Sequence, residues 1–338
     1  MPGKKILKVL HIGVANRGLW PLRECDTGTG FVPTALCDVT DSALVIAREK
    51  TGLPLAACFN DVDSALAQSS VDCAIICAPT LLHFSLAEKV IACGLPVLVE
   101  KGMAADWATA QRFVATVGAH RGTAMIAQNY RYRAIERTIW RGIHDPGCGY
   151  YVGAVHQLSY SEQRVRPIPR GMLHPYASVW DMSCHHFDNL LHWLGPVTQI
   201  TAHGWRAAWS AYPTDCNTAA QLVFANGARV HYLHTHDGAR ASVDIEVHGE
   251  RGALFLRDGA LTFSARPQEN FGTRPVSAIT LKADLGERGL LHDFHAYITE
   301  GREPAVSARH NLETMALCEM TVRSLKNQSS YRREELDP

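Results

Sequence analysis

The sequence predicts an α/β domain with a doubly wound parallel sheet, followed by an α+β domain whose mainly antiparallel open sheet is flanked by helices. Three observations carry this. From Ile6 to about Gln128, short apolar runs alternate with amphipathic stretches. A glycine-containing turn follows the first of those runs directly, at Gly13 to Gly18. After Asn129 the texture changes to alternating runs separated by turn dipeptides. A chain of 338 residues exceeds what one core usually organises, and the change of texture puts the expected domains at 1–128 and 129–338.

In the first domain the expected strands are Ile6 to Gly13, Thr34 to Cys37, Cys73 to Cys77, Pro96 to Val99 and Ala124 to Ala127. Helical patterns lie between them at Asp41 to Thr51, Asp61 to Gln68, Leu82 to Cys93 and Trp107 to Ala119. Strands joined through helices of this length imply right-handed crossovers and parallel pairing. The second domain opens with a helix at Arg133 to Arg141 and a break at Asp145-Pro146-Gly147. Strands follow at Ala154 to Tyr160, Gln221 to Phe224, Arg229 to Leu233, Ser242 to Val247 and Leu254 to Leu256. Turns are expected at Asn226-Gly227, Asp237-Gly238 and Asp258-Gly259. Val179 to Leu194 reads as a helix, Leu290 to Thr299 and Asn311 to Lys326 as two closing helices, and Gln328 to Pro338 as a loose polar tail.

Composition narrows the function classes. Lys and Arg (33) balance Asp and Glu (33), which points away from nucleic acid or an anionic membrane as the main partner. The ten cysteines are scattered without C-x-x-C pairs, as expected of reduced thiols in a cytoplasmic protein. Lys8 and His11 interrupt the first apolar run, so it does not read as a signal peptide, and no apolar stretch is long enough for a membrane span.

Gly13-Val14-Ala15-Asn16-Arg17-Gly18 is a G-x-A-x-x-G variant of the dinucleotide fingerprint. A phosphate needs backbone N–H groups from a tight turn and the positive end of a helix, and glycines permit both. Asp38 ends the second strand twenty residues after Gly18, where a carboxylate accepts hydrogen bonds from an adenosine ribose and repels a 2′-phosphate. The cofactor expected is therefore NAD rather than NADP. Ala15 departs from the pattern: its methyl stands where a glycine lets the backbone approach the pyrophosphate, so Gly13, Gly18 and Arg17 are expected to carry more of that contact.

Further along stand Ala78-Pro79-Thr80-Leu81-Leu82-His83, Val99-Glu100-Lys101-Gly102, Gln128-Asn129-Tyr130-Arg131 and Asp181-Met182-Ser183-Cys184-His185-His186-Phe187-Asp188. With the fingerprint, these resemble in order the motifs of the Gfo/Idh/MocA family, the glucose–fructose oxidoreductase and inositol dehydrogenase group. The resemblance runs from Gly13 to about Gly195 and is weaker beyond. It implies a Rossmann domain plus a large open sheet, and an NAD-dependent dehydrogenase acting on a CH–OH group of a sugar, polyol or cyclitol. It further implies that Pro79, Thr80 and His83 line the nicotinamide side, that Glu100 and Lys101 stand where cofactor meets substrate, and that Asn129 belongs to the cofactor set. Gly102 departs from the family's proline, which commonly follows a cis peptide, so the direction of Lys101 is less defined than its identity.

Oxidising a secondary alcohol requires a group that takes the hydroxyl proton as hydride leaves, and a lysine with a lowered pKa does this near neutral pH. Lys101, at a strand end, is the candidate. On the helix from Val179, Asp181, His185, Asp188 and His192 share one face, while Phe187, Leu190, Leu191 and Leu194 share the other. The polar face is thus expected to line a cleft. By resemblance, Asp181 and His185 complete the proton-transfer set with Lys101, and Lys101, His185 and Asp188 contact substrate.

Among His231, His234 and His236, only the last two share a strand face, and no cysteine or carboxylate lies at ligand spacing, so no metal is expected. Arg164, Arg166 and Arg170 are candidates for an acidic or hydroxylated substrate or for a solvated loop. Two other readings stay open: a non-catalytic NAD-binding sensor or regulator, and a glycoside-processing enzyme that uses transient oxidation. The family resemblance also implies a homodimer or homotetramer.

Overall fold

The computed structural model describes residues 5–165, 174–267 and 277–336. The chain divides into two compact units, residues 1–132 with 285–315 and residues 133–284 with 316–338. The chain changes unit four residues after the expected 128/129 division, and segment 285–315, expected in the second domain, packs with the first unit. The reason lies in the core described below.

The first unit carries six parallel strands: β1 (Leu7–Ile12), β2 (Phe31–Cys37), β3 (Cys58–Phe59), β4 (Cys73–Ile76), β5 (Val97–Val99) and β6 (Ala124–Ile126). Their order is β3-β2-β1-β4-β5-β6, so the winding reverses between β1 and β4, where such sheets bind ligands. The helices are α1 (Leu19–Glu24), α2 (Asp41–Thr51), α3 (Val62–Gln68), α4 (His83–Ala92) and α5 (Trp107–Ala119). Asp61 and Asp106 cap α3 and α5 by accepting from the N–H of Ser64 and Thr109, each at 2.8 Å. The two-residue β3 and the six-residue α1 are too short to leave a periodic signal, and the sequence did not announce them.

Register decides where the motifs meet. Ile12 pairs with Cys37 on one side and Ile76 on the other, Ile76 with Val99, and Val99 with Ile126. The carboxyl ends of five strands are therefore level, and Gly13, Asp38, Cys77, Glu100 and Ala127 follow as one row. Beneath that row, Leu7, Val9, Trp20, Phe31, Ile75, Leu98 and Met125 pack against Leu290, Leu291, Phe294 and Val306.

The second unit holds α6 (Ala134–His144), β7 (Val155–Val165), a π-helical turn at Val179–Ser183, α7 (Cys184–Leu194), β8 (Val197–Trp205), β9 (Asn217–Phe224), β10 (Arg229–Thr235), β11 (Asp237–Gly249), β12 (Gly252–Arg257), β13 (Ala260–Ala265) and β14 (Ser277–Ala278). After α8 (Gly286–Glu300) and α9 (Ala308–Asn327), β15 (Tyr331–Arg332) completes a nine-stranded sheet of order β14-β13-β12-β11-β7-β10-β9-β8-β15. Only the β7–β10 pair is parallel.

Three expectations are corrected here. Asp237-Gly238 opens β11 rather than forming a turn, because β10 and β11 do not pair with each other but both pair with β7. The polar tail is not loose: Tyr331 and Arg332 pair with Ile200 and Gln199, and Leu336 is buried. The helix from Val179 to Leu194 is π-helical in its first five residues. Asp258-Gly259 does turn as expected, with φ of 47° and 77°.

Candidate active site

In the first unit the fingerprint turn depends on its glycines. At Gly13, φ is 81° and an added Cβ would lie 2.8 Å from the Cys77 carbonyl. A Cβ on Gly18 would lie 2.0 Å from the Gly13 oxygen, so this corner closes only without side chains. Ala15 is extended (φ −88°, ψ 153°), and the positive φ falls on Asn16 at 46°, a residue type that tolerates it. The alanine methyl therefore costs the turn nothing in backbone conformation.

Asp38 is tied to the same turn. Its Oδ2 accepts from the N–H of Val14 and its Oδ1 from that of Thr40, each at 2.9 Å. Each carboxylate oxygen keeps a second lone pair for a ribose hydroxyl.

Arg17 is engaged within the protein: Nε donates to Glu100 Oε1 at 2.8 Å, Nη1 to Glu287 Oε1 at 3.2 Å, and the group lies 5.5 Å from the centre of the Trp20 ring, while its side chain stays half exposed. Trp20 Nε1 donates to the same Glu100 oxygen at 2.7 Å, and Glu100 Oε2 accepts from the N–H of Lys101 at 3.2 Å. Glu100 is thus a buried anchor that fastens the segment bearing Lys101 to the fingerprint turn. Trp20, Glu287 and α8 are parts of this arrangement that local sequence patterns could not supply.

His83 is also turned inward. It is 1% exposed, with Nδ1 2.7 Å from the Gly102 carbonyl and Nε2 2.7 Å from that of Ala78. It braces the turn after Lys101 and neither faces solvent nor presents these nitrogens to a ligand. The Lys101–Gly102 peptide is cis without a proline. Pro79 precedes a 3₁₀ turn that begins at the buried Thr80.

Asn129 starts another 3₁₀ turn just beyond β6, and its Nδ2 donates to Glu287 Oε1 at 3.1 Å. Its Oδ1 is buried without a hydrogen-bond partner among the described residues, an acceptor that a ligand donor would satisfy. Together, the glycine corner, the Asp38 carboxylate and this acceptor fit a dinucleotide carrying ribose and amide groups.

The second unit holds Asp181, His185 and Asp188, all at most 4% exposed. The expectation of a helix with one face open to a cleft is corrected, since the whole run from Val179 to Leu190 is buried. Asp181 Oδ2 accepts from His174 Nε2 at 2.8 Å, a partner the sequence did not disclose because His174 lies seven residues earlier, outside any regular element. His186, which the sequence left without a role, pairs with the buried Glu162, and its Nδ1 lies 2.8 Å from the Tyr232 hydroxyl. The Ser183 hydroxyl joins Tyr232 (2.8 Å) to His234 Nδ1 (3.1 Å). Burial pushes His234 well below its ordinary value, helped by the neighbouring His186 and His236, so it is neutral. Burial works against ionisation of Glu162, but His186 and Arg164 outweigh it and hold its carboxyl below the usual range.

Arg164 pairs with Glu162, while Arg166 and Arg170 lie outside the described residues. Among the described residues no group of three or more His, Cys, Asp or Glu side chains is arranged to hold a metal, and no helix is long and apolar enough to cross a membrane.

A doubly wound sheet with a glycine corner after β1, a carboxylate after β2 and a lysine after β5 is the arrangement of a dinucleotide-binding oxidoreductase. Comparison with known proteins places it further. Residues 8–128 match the family described as oxidoreductase family, NAD-binding Rossmann fold, and residues 176–332 match its C-terminal alpha/beta domain. The chain belongs to the Gfo/Idh/MocA oxidoreductase family, and its N-terminal domain is an NAD-binding Rossmann fold. It is similar to an uncharacterized protein, y4oX, of Sinorhizobium fredii, at 25% identity with 94% of this chain and 93% of the relative covered. It is also similar to an inositol 2-dehydrogenase of Rhizobium meliloti, at 24% identity over 78% of this chain and 81% of that one. Among solved structures, an Agrobacterium radiobacter oxidoreductase in complex with NAD+, L-tartaric acid and magnesium shares the fold at a TM-score of 0.83. Its identity is 17%, with 98% of this chain and 99% of that chain covered.

Proposed function

We propose that the protein transfers a hydride between NAD and a hydroxyl-bearing carbon of a sugar, polyol or cyclitol. The observation that carries this reading is the Arg17–Glu100 link, which fastens the backbone of Lys101 to the dinucleotide turn. NAD, when bound, accepts or returns the hydride. Gly13, Ala15, Gly18 and Asp38 hold its adenosine and phosphate portion, while Pro79, Thr80 and Asn129 contact the remainder. Glu100, braced by Arg17, and Gly102, braced by His83, orient Lys101. The Lys101 amine takes the hydroxyl proton, Asp181 and His185 complete the proton transfer, and Asp188 contacts the substrate. The inositol 2-dehydrogenase among its relatives supports a polyhydroxylated substrate.

A screen of purified protein with NAD against a polyol, sugar and cyclitol panel tests this. Reduced cofactor is expected with at least one member, and its absence throughout favours a sensor. On the substrate found, Lys101→Met is expected to abolish turnover while NAD binding, followed by fluorescence titration, survives. Near-native turnover in that variant would remove Lys101 from the chemistry. The large sheet also supports a homodimer or homotetramer through its open face, around Ser159, Ser161, His203, Gln221 and His231. Light scattering checks that, with a monomer as the opposing result.

A further inference from the structure

The approach to α7 is irregular in a way that ordinary helix formation does not require. Tyr176 adopts φ 56°, a left-handed conformation that is a genuine outlier for a bulky side chain. The next turn, Val179–Ser183, is π-helical, a rare form that occurs mostly as single turns and frequently at functional sites. This geometry is pinned from several directions: the Tyr176 N–H donates to Thr214 Oγ1 at 2.9 Å, Ser178 Oγ donates to the Asp215 carbonyl at 3.4 Å, and Lys326 Nζ lies 5.3 Å from the centre of the Tyr176 ring. Its consequence is a contact. His174, two residues before Tyr176, reaches Asp181 with Nε2 2.8 Å from Oδ2, and both side chains are 5% exposed.

We infer that His174 is a positioning residue for Asp181: it fixes one carboxylate oxygen and holds the group in one orientation. This rests on the proton-transfer reading given above. Three considerations separate it from an incidental buried pair. A buried ion pair contributes little net stability, because desolvation offsets the attraction, so stability alone gives no reason to retain one behind a strained turn. An ionised carboxylate only accepts hydrogen bonds, so the contact makes His174 Nε2 the donor and leaves Asp181 without a proton of its own to give. And in an α-helical start, Asp181 would be directed by its own helix, whereas here a residue from outside the helix directs it.

Burial disfavours the His174 cation, but the hydrogen bond and charge of Asp181 outweigh it and hold the imidazole above its ordinary value. Cys318 on α9, near Asp181, is pushed well up by burial and stays a neutral thiol. Asp215 and Lys326 stand beside Tyr176.

Two measurements on the full chain test the inference. In ring-nitrogen NMR, the His174 signal is identified by its loss in His174→Gln. It is expected to titrate above the ordinary histidine range and to fall back in Asp181→Asn. A His174 midpoint that Asp181→Asn leaves unchanged overturns the pairing, whether or not a substrate is known. In kinetics on the screened substrate, His174→Ala is expected to lower kcat roughly ten- to a hundredfold with KM for NAD within about twofold, the loss of one charge-assisted hydrogen bond. His174→Gln, whose amide keeps a donor near the Nε2 position, is expected to recover part of it. Native kcat in His174→Ala overturns the positioning role, as does an equal loss in Ala and Gln variants that tracks a lowered melting temperature. Failure of the native protein to turn over any panel member sinks the reaction itself, while the pairing still stands or falls on the NMR result.

Discussion

His11 shows how much one buried residue decides. It lies within β1, is 1% exposed, and neither ring nitrogen has a hydrogen-bond partner among the described residues. Burial lowers its pKa from 6.5 to about 3. The folded protein therefore refuses a proton that the unfolded chain accepts below pH 6.5. Stability associated with His11 is complete above that value and is lost as pH falls from 6.5 toward 3, at about 1.4 kcal/mol per pH unit. By pH 4.5 the loss is about 3 kcal/mol. Urea melts at pH 7 and 4.5 check this: His11→Leu is expected to lose less stability than the native protein by about that amount, and parallel losses would contradict it. Asp38 belongs to the same scale. Its bonds to Val14 and Thr40 fix the carboxylate, so NAD is expected to bind more tightly than NADP and Asp38→Ala to weaken NAD roughly ten- to a hundredfold, narrowing the gap. Equal native affinity for both cofactors, by fluorescence titration, would take Asp38 out of the site.

At the scale of elements, long periodic segments were legible and short ones were not. Helices α2, α3, α4 and α5 stand where their apolar spacing put them. The pattern failed where an element draws its order from partners: β3 is two residues that pair with Leu36 and Cys37, and β15 is two polar residues that complete the sheet beside β8. No local propensity announces a strand that exists because an edge is waiting for it. The tail therefore has a measurable weight. Removing residues 328–338 breaks the pairing at Ile200 and exposes what Leu336 covers, and a loss of about 1–3 kcal/mol is expected in urea melts. An unchanged midpoint would restore the loose-tail reading. Among candidate site residues, Lys101 and Glu100 were proposed from motifs, whereas the inward turn of His83 and the pairing of Arg17 with two carboxylates depend on neighbours 5 to 270 positions away.

At the scale of the whole molecule, the first unit is not a continuous stretch of chain. Leu290, Leu291, Phe294 and Val306, each at most 1% exposed, complete its core, and the Phe294 ring stacks on Phe31 with centroids 5.7 Å apart. Burying four such side chains contributes about 6–12 kcal/mol, comparable with the entire stability of an ordinary domain. A fragment of residues 1–128 is expected to lack a cooperative thermal transition by circular dichroism, and supplying residues 285–315 in the same chain to restore one. Cooperative melting of 1–128 alone would show that the sheet is self-sufficient.

By itself the sequence determined the two sheet types, the glycine corner, the strand-end acid, and the lysine and helix motifs, because each is written in local spacing or in residue types that few backbones tolerate. Only the tertiary structure decided that 285–315 returns to the first unit, that Arg17 pairs with Glu100, and that Asp181 is met by His174. These are contacts between residues far apart in the chain or outside any regular repeat. Burial and charge pairing select them after the chain has folded, and no periodicity encodes them beforehand.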